Sequence, residues 1–415
     1  MRVLMLSWEY PPVVVGGLGR HVHALATELA GQGHDVVVLC RQPAGSDALT
    51  HPTSDSPAEG VRLVRVAEDP AHLVFERDLV AWTLAMGHAM TRAGLALLRG
   101  WRPDVVHAHD WLVTHPAIAL AEAAGVPLVA TVHATEAGRH SGWLSQTLNQ
   151  QVHSVEWWLA NRADSLITCS SAMRTEVAHL FEVDPGGITV LHNGIEPRRW
   201  RVPPAGVAAA RAEHAPTGPL LLFFGRLEWE KGVQDLIAAL PRIRRAHRGT
   251  RVLVAGGGTH RDWLVEQARK HRVLRSVEFV GHLPDRALAA VLASADAVVL
   301  PSRYEPFGIV ALEAAAAGTP LVASTAGGLG EVVLDGVTGL SFAPGDVDGL
   351  ARAVRSVLDD RPAAVRRAKA AKARLATDFT WARIASDTVE VYRAAATREH
   401  GPLGRPKIPT GNAFL

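Results

Sequence analysis

Arg226 and Lys231 stand five residues apart in Gly225-Arg226-Leu227-Glu228-Trp229-Glu230-Lys231-Gly232. The apolar run Leu220-Leu221-Leu222-Phe223-Phe224 precedes them, and a helical pattern of Val233, Leu236, Ile237 and Leu240 follows. The chain carries 38 Arg and 5 Lys, so a lysine at a loop-to-helix junction points to a need for a compact point charge. Two cations beside a helix N-terminus suit a diphosphate. The plainer alternative is a surface ion pair of Lys231 with Glu228 or Glu230. Farther along, Tyr304-Glu305-Pro306-Phe307-Gly308-Ile309-Val310-Ala311-Leu312-Glu313 sets two carboxylates eight residues apart. Pro306 suits the first helical position, which predicts Glu305 just outside a helix and Glu313 two turns in. The rise between them, about 12 Å, compares with the distance between a sugar and a ribose joined by a diphosphate. Glu313 lies among Ala314, Ala315, Ala316 and Ala317, so its carboxylate needs a partner, either ribose hydroxyls or a structural arginine.

The first half holds a second set. Val15-Gly16-Gly17-Leu18-Gly19-Arg20 precedes a helical pattern of Val22, Leu25 and Leu29. Glycines there let main chain approach a ligand, and the helix N-terminus offers N–H groups to an anion. They equally serve an ordinary strand-to-helix turn. The dinucleotide fingerprint does not fit, because Ser7-Trp8-Glu9-Tyr10-Pro11-Pro12 intervenes between strand and glycines. His107-Ala108-His109-Asp110 ends another apolar run, and strand alternation puts both histidines on one face and Asp110 on the other. No third ligand at a telling spacing accompanies the histidines, which favours structural roles or a substrate-facing Asp110 over a metal site. His133 ends the next run, where core packing and a site role stand equal. Gly327-Gly328-Leu329-Gly330-Glu331 adds a further glycine loop.

Such residues need a scaffold that gathers strand ends. Apolar runs at 3–6, 36–39, 105–106, 128–130 and 166–168 alternate with helical patterns. After a proline-rich stretch the pattern restarts at 220–224, 252–254, 277–280, 297–300 and 321–323. This predicts an α/β chain of two doubly wound, Rossmann-like domains, 1–200 and 201–378, with the boundary stretch at 196–218. A helix at 379–398 and a disordered tail at 399–415 are expected to follow. Ligands of such sheets sit beyond the carboxyl ends of the strands, so a cleft between the domains is the expected site.

At 415 residues, 48% hydrophobic and 20% charged, the composition is that of an ordinary globular chain. The net charge of +2 conceals −6 over residues 1–200 (14 Arg, 20 Asp+Glu) and +8 over 201–415 (24 Arg, 5 Lys, 21 Asp+Glu). Either the basic run from Arg352 to Arg374 explains that excess, or the second half holds an anionic ligand. No basic stretch is interleaved with aromatics, which excludes nucleic acid as the expected partner. No apolar run reaches the roughly 18 residues of a membrane span. Glu9 and Pro11 cut short a signal-like start, and two cysteines, Cys40 and Cys169, are too few for a disulfide framework, so a cytoplasmic protein is expected. Eight of the eleven Trp lie before residue 201; most belong to the core, and the remainder offer faces for an acceptor sugar.

Together these motifs resemble the retaining nucleotide-sugar glycosyltransferases of family 4, of the GT-B fold, and the related glycogen and starch synthases. The match is carried by Ser7 to Pro12 with Gly16-Gly17-Leu18, by His107-Ala108-His109-Asp110-Trp111 and by His133 and Asn193-Gly194. In the second half it is carried by Arg226 with Lys231-Gly232, Glu305-Pro306-Phe307-Gly308 with Glu313, and Gly318-Thr319-Pro320 with Gly327-Gly328. It spans about residues 1–395. Within the family, Gly19-Arg20-His21-Val22-His23, residues 132–143 and Ser302 to Phe307 resemble the actinobacterial α-(1→4)-glucosyltransferases of methylglucose lipopolysaccharide and glycogen synthesis.

The resemblance implies that Arg226 and Lys231 hold the donor diphosphate and that Glu305 contacts the donor sugar hydroxyls. It places Glu313 at the ribose and His133 beside the donor glucose. Gly16, Gly17, Phe307, Gly308 and Ile309 are implied to bind the donor, with the base read by main chain near Gly281, His282 and Leu283. Glu9 and Asp110 are implied to face the acceptor. The implied partners are a nucleotide-sugar donor and an oligosaccharide or glycolipid acceptor; no metal or other cofactor is implied. The last helix is implied to cross back onto the first domain. Phe307 stands where bacterial glycogen synthases carry cysteine, so their donor preference does not carry over.

The implied reaction moves glucose from UDP- or ADP-glucose to the 4-hydroxyl of an α-glucan or a glucosylated acyl-glycerate, with retention. Departure and attack share one face of the sugar, and the leaving phosphate oxygen takes the acceptor proton. A retaining mannosyl- or N-acetylglucosaminyltransferase would use the same motifs. A nucleotide-sugar 2-epimerase or a non-enzymatic nucleotide-sugar sensor would share the domains without transferring sugar to a glucan.

Overall fold

A computed structural model describes residues 1–13, 16–43, 51–67, 72–75, 77–140 and 142–397. The tail expected at 399–415, and Val15 and Ser141 of the motifs above, lie outside the described residues. The chain divides into two compact units, Met1–His192 together with the segment from Trp381, and Asn193–Thr380.

The first unit holds β1 (Arg2–Leu6), β2 (Asp35–Arg41), β3 (Ser54–Ala58), β4 (Val61–Val66), β5 (Val105–His109), β6 (Leu128–Val132), β7 (Ser165–Thr168) and β8 (Ile188–Val190). They form one sheet in the order β3-β4-β2-β1-β5-β6-β7-β8. Its pairs are parallel except β3 with β4. The Val- and Leu-rich strands are buried on both faces, as a helix-covered parallel sheet requires. Val22, Leu25 and Leu29 of the helix Gly17–Gly31 pack on Val3, Met5, Val36 and Val38, joined by Ile384, Val389 and Tyr392 of the helix Trp381–Thr397. The last helix thus belongs to the first unit, and its Tyr392 is fully buried there.

The second unit holds β9 (Leu220–Phe224), β10 (Arg251–Ala255), β11 (Val277–Gly281), β12 (Ala297–Leu300), β13 (Leu321–Ser324) and β14 (Leu340–Phe342). Its all-parallel order, β11-β10-β9-β12-β13-β14, is the doubly wound order, whose direction reverses between β9 and β12. The corresponding reversal in the first sheet falls between β1 and β5. Chain leaving the carboxyl ends of these four strands carries most of the residues singled out above.

Four strands, β3, β4, β8 and β14, have no counterpart among the expected runs. β3 reads Ser-Asp-Ser-Pro-Ala, an apolar-poor edge strand that tolerates Pro57, and it pairs with β4 across a short turn. β8 and β14 are three residues each, too short to leave a periodic signal. The unit boundary falls before Asn193 rather than at 200, and 196–218 is no bare linker. Pro197 and Pro204 open a 3-10 turn, Pro197–Trp200, and a helix, Pro204–His214. These pack on the helices Ile309–Ala317 and Asp285–Ser294 of the second unit. Among the described residues no helix is long and apolar enough to cross a membrane.

Candidate active site

In the second unit the chain leaves β9 through a tight loop. Leu227 anchors it, fully buried, with its N–H donating to the Gly257 carbonyl at 2.8 Å. Trp229–Lys231 form a 3-10 turn, and Gly232 follows at φ +70°. A Cβ on Gly232 would lie 1.9 Å from the Pro301 carbonyl oxygen, so only glycine lets this loop press against the chain leaving β12. The approach is clamped from the other side. The Arg303 N–H donates to the Glu230 carbonyl at 2.7 Å, and its guanidinium grips the buried Asp235 carboxylate at 3.0 and 2.8 Å. The same guanidinium lies 4.7 Å over the Trp229 ring.

Held this way, Lys231 Nζ donates to Glu305 Oε2 at 3.0 Å, with side chains 15% and 13% exposed. Ser302 Oγ donates to the same oxygen at 3.2 Å. Arg226 pairs instead with Glu230 at 3.1 Å. Lys231 therefore does not make the surface ion pair considered as its alternative. Glu228 accepts from Thr259 and stands 3.2 Å from His260. Burial pushes its carboxyl up, but these hydrogen bonds outweigh burial and hold it below the usual range.

The segment after Glu305 corrects one expectation. Its helix runs Ile309–Ala317, so Pro306 is not the first helical residue, and Glu305 is not one step outside a helix. Gly308, at φ +104°, turns the chain into the helix instead. The distance of about 12 Å assumed eight helical residues, which the chain does not have. Phe307 is buried, its ring edge-on to Phe379 at 6.1 Å. Glu313 is also buried, 5% exposed, on the helix that Ile309 opens. Gly281 ends β11, its carbonyl accepting from the Gly256 N–H at 2.7 Å, and His282 and Leu283 continue into the loop beyond.

In the first unit Glu9 follows β1. Its carboxylate is 4% exposed and accepts from the N–H groups of Gly16 at 3.2 Å and Gly19 at 3.4 Å. Glu9 thus ties down the glycine loop rather than facing outward, and it occupies donors the loop was expected to offer an anion. Gly17 is the first residue of the helix that Gly16 caps. Trp8, beside it, stacks on Phe75 at 5.0 Å.

β5 ends in a buried imidazole cluster. His107 bonds Tyr392 Oη through Nδ1 at 2.7 Å and Thr131 Oγ1 through Nε2 at 2.8 Å. His109 Nδ1 lies 3.2 Å from His133 Nε2. His21, from the helix Gly17–Gly31, stands edge-on to His133 with ring centroids 4.6 Å apart. Burial lowers the His133 pKa to about 4 and holds His107 and His109 well below the usual range, so all three are neutral at neutral pH. Asp110 leaves the strand at φ +62°, and its Oδ1 accepts from the His133 N–H at 2.7 Å. Burial raises its pKa to about 6 against the opposing pull of that hydrogen bond.

His21 and Tyr392 were not among the expected site residues, and no local spacing marks them. The expectation that His109 lacks a third ligand also changes, because helix and sheet bring His21, His109 and His133 together. Trp143, at 75% exposure, presents a free ring face, whereas Trp8, Trp82 and Trp200 are core residues.

Residues 15–199 match the family described as Glycosyltransferase Family 4, and residues 208–374 the family described as Glycosyl transferases group 1. The chain is 61% identical over 415 residues to the glycogen synthase of Mycobacterium tuberculosis, across 99% of this chain and 98% of that one. It is 32% identical over 418 residues to the alpha-maltose-1-phosphate synthase of the same organism, across 95% and 99% of the two chains. Among solved structures, the sucrose-phosphate synthase of Thermosynechococcus elongatus superposes with a TM-score of 0.79 at 24% identity, across 95% and 98% of the chains.

Proposed function

Because the chain belongs to glycosyltransferase family 4 and has the GT-B fold, we propose that it transfers glucose from UDP- or ADP-glucose to the 4-hydroxyl of an α-glucan, with retention. A glucosylated acyl-glycerate is the second acceptor of the same chemistry. The observation that carries this is the 3.0 Å contact of Lys231 with Glu305 at the strand ends that flank the sheet reversal. The reacting carbon of a nucleotide sugar is bonded to its phosphate oxygen. A cation for the phosphate and an acceptor for the sugar hydroxyls must therefore be neighbours, as these two side chains are.

In this mechanism Lys231 and Arg226 stabilise charge that grows on the leaving diphosphate, the kind of interaction that lowers a barrier. Glu305 orients the sugar through its hydroxyls, and Glu313 accepts from the ribose. Neutral His133 lies beside the donor sugar, and Asp110 orients the acceptor hydroxyl. The acceptor attacks from the face the phosphate leaves, and a phosphate oxygen takes its proton. Two fixed cations supply the charge stabilisation, so the transfer requires no metal ion. The enzyme works in a reducing cytoplasm, which suits two buried cysteines, Cys40 and Cys169, that are not joined in a disulfide.

The test is a panel of UDP- and ADP-sugars against malto-oligosaccharides and a glucosylated acyl-glycerate, with linkage and anomeric configuration read by NMR. Acceptor-dependent nucleotide release with a new α-(1→4)-glucosyl bond is expected. An inverted product, a non-glucosyl product or release independent of acceptor overturns the proposal.

A further inference from the structure

His21, His109 and His133 converge within the first unit, and we propose that they form a binding site for a late first-row divalent cation such as Zn2+. Nitrogens able to ligate lie within 4.8 Å of one another across the three rings. His109 Nδ1 and His133 Nε2 are 3.2 Å apart. Two imidazole nitrogens on a tetrahedral Zn2+ are separated by about 3.3 Å, from Zn–N bonds of about 2.0–2.1 Å. The pair is already spaced as one edge of that tetrahedron, with a proton where the cation would sit. Ring centroids are 4.6, 5.5 and 5.6 Å apart, and three imidazoles around one ion place theirs about 5 Å apart.

The surroundings allow the exchange of proton for cation. His109 is fully buried and its Nε2 has no hydrogen-bond partner among the described residues, so no bond from them fixes which nitrogen carries the proton. His107 lies against His109 but spends both nitrogens on Tyr392 and Thr131, so it is not a fourth ligand. His133 is half-buried, which leaves solvent for the fourth position. An all-imidazole set selects Zn2+, Co2+, Ni2+ or Cu2+ over Mg2+ and Ca2+, which prefer oxygen. A cation here removes His133 from the donor sugar and so inhibits transfer. That consequence rests on the proposed function; the binding does not.

The probe is Co2+, added to the full chain and followed by calorimetry and visible absorption. One-to-one binding with the strong absorption of four-coordinate Co2+ is expected. His21→Phe, which keeps a flat ring against Trp381, is expected to weaken binding by at least about 100-fold, since losing an outer partner alone costs about 10–100-fold. Its melting temperature and donor-nucleotide affinity are expected to match the parent protein. X-ray absorption of the Zn2+-loaded parent protein counts the imidazole ligands without any variant. Absence of one-to-one binding, equal binding by His21→Phe, or fewer than three imidazoles overturns the site. Cation binding with unimpaired transfer upholds the site and overturns the placement of His133 beside the donor.

Discussion

Replacing Arg226 with Ala separates catalysis from folding in the second unit. The Arg226 side chain is 45% exposed, and its ion pair with Glu230 at 3.1 Å spans a single turn of the loop. The arginine is exposed, but the Glu230 carboxylate it holds is 11% exposed, so losing the pair costs about 1–3 kcal/mol, which lowers the melting temperature by about 2–4 °C for each kcal/mol. Losing a positioned donor to charge that develops in the transition state costs about 100- to 1,000-fold in kcat, or about 2.7–4 kcal/mol. The rate loss and the stability loss are read by separate assays, so one substitution reads the chemistry in a protein that still folds. Initial rates of acceptor-dependent nucleotide release, measured across donor concentrations, give kcat and KM; thermal unfolding gives stability. Arg226→Ala is expected to lose about 100-fold or more in kcat with its melting temperature lowered by no more than about 12 °C. Retention of more than about a tenth of kcat by a folded Arg226→Ala protein would refute its role at the diphosphate.

Lys231→Ala is expected to lose at least as much kcat and also to unfold more easily. It strands the Glu305 carboxylate, 13% exposed, with the Ser302 hydroxyl, at a cost of about 1–3 kcal/mol visible in the denaturation midpoint. Gly232→Ala drives a Cβ to 1.9 Å from the Pro301 carbonyl at φ +70°, so a loss of more than about 2 kcal/mol is expected in denaturant unfolding. Tyr392→Phe removes the 2.7 Å bond to buried His107 and is expected to cost about 1–3 kcal/mol, read by thermal unfolding; an unchanged melting temperature would count against the docking of the last helix. Burial drives the Glu156 carboxyl well above the usual range, so the folded chain keeps a proton that the unfolded chain sheds above about pH 4.3. Stability then falls as pH rises from there toward the folded pKa, and Glu156→Gln, which cannot ionise, should gain on the parent protein over that window. Equal melting-temperature differences at about pH 4 and about pH 7 would refute this linkage.

The fold class and family were legible because their signals are local. Parallel strands buried on both faces read as Val- and Leu-rich runs, and ten of them appear in the sequence where the sheets have strands. β3 leaves no apolar run because an edge strand needs no apolar residues, and β8 and β14 leave none because three residues show no period. Pro306 misled because a proline at a helix start and a proline in a turn before Gly308 look alike until the φ of that glycine is known. The packing of the Phe307 ring against Phe379 joins two segments far apart in the chain, which no motif records.

By itself the sequence determined which residue types leave which strands: a lysine in a chain of arginines, two spaced glutamates, and histidines at strand ends. Which of them meet was decided only by tertiary structure. Lys231 reaches Glu305, 74 positions later in the chain, because β9 and β12 are sheet neighbours. His107 meets Tyr392 because the last helix docks on the first sheet, 285 positions away. His21 joins His109 and His133 because one helix covers the ends of β5 and β6. The physical reason is common to all three. Periodicity records which side of an element is buried, whereas contact across a crossover depends on strand order, which no local pattern encodes.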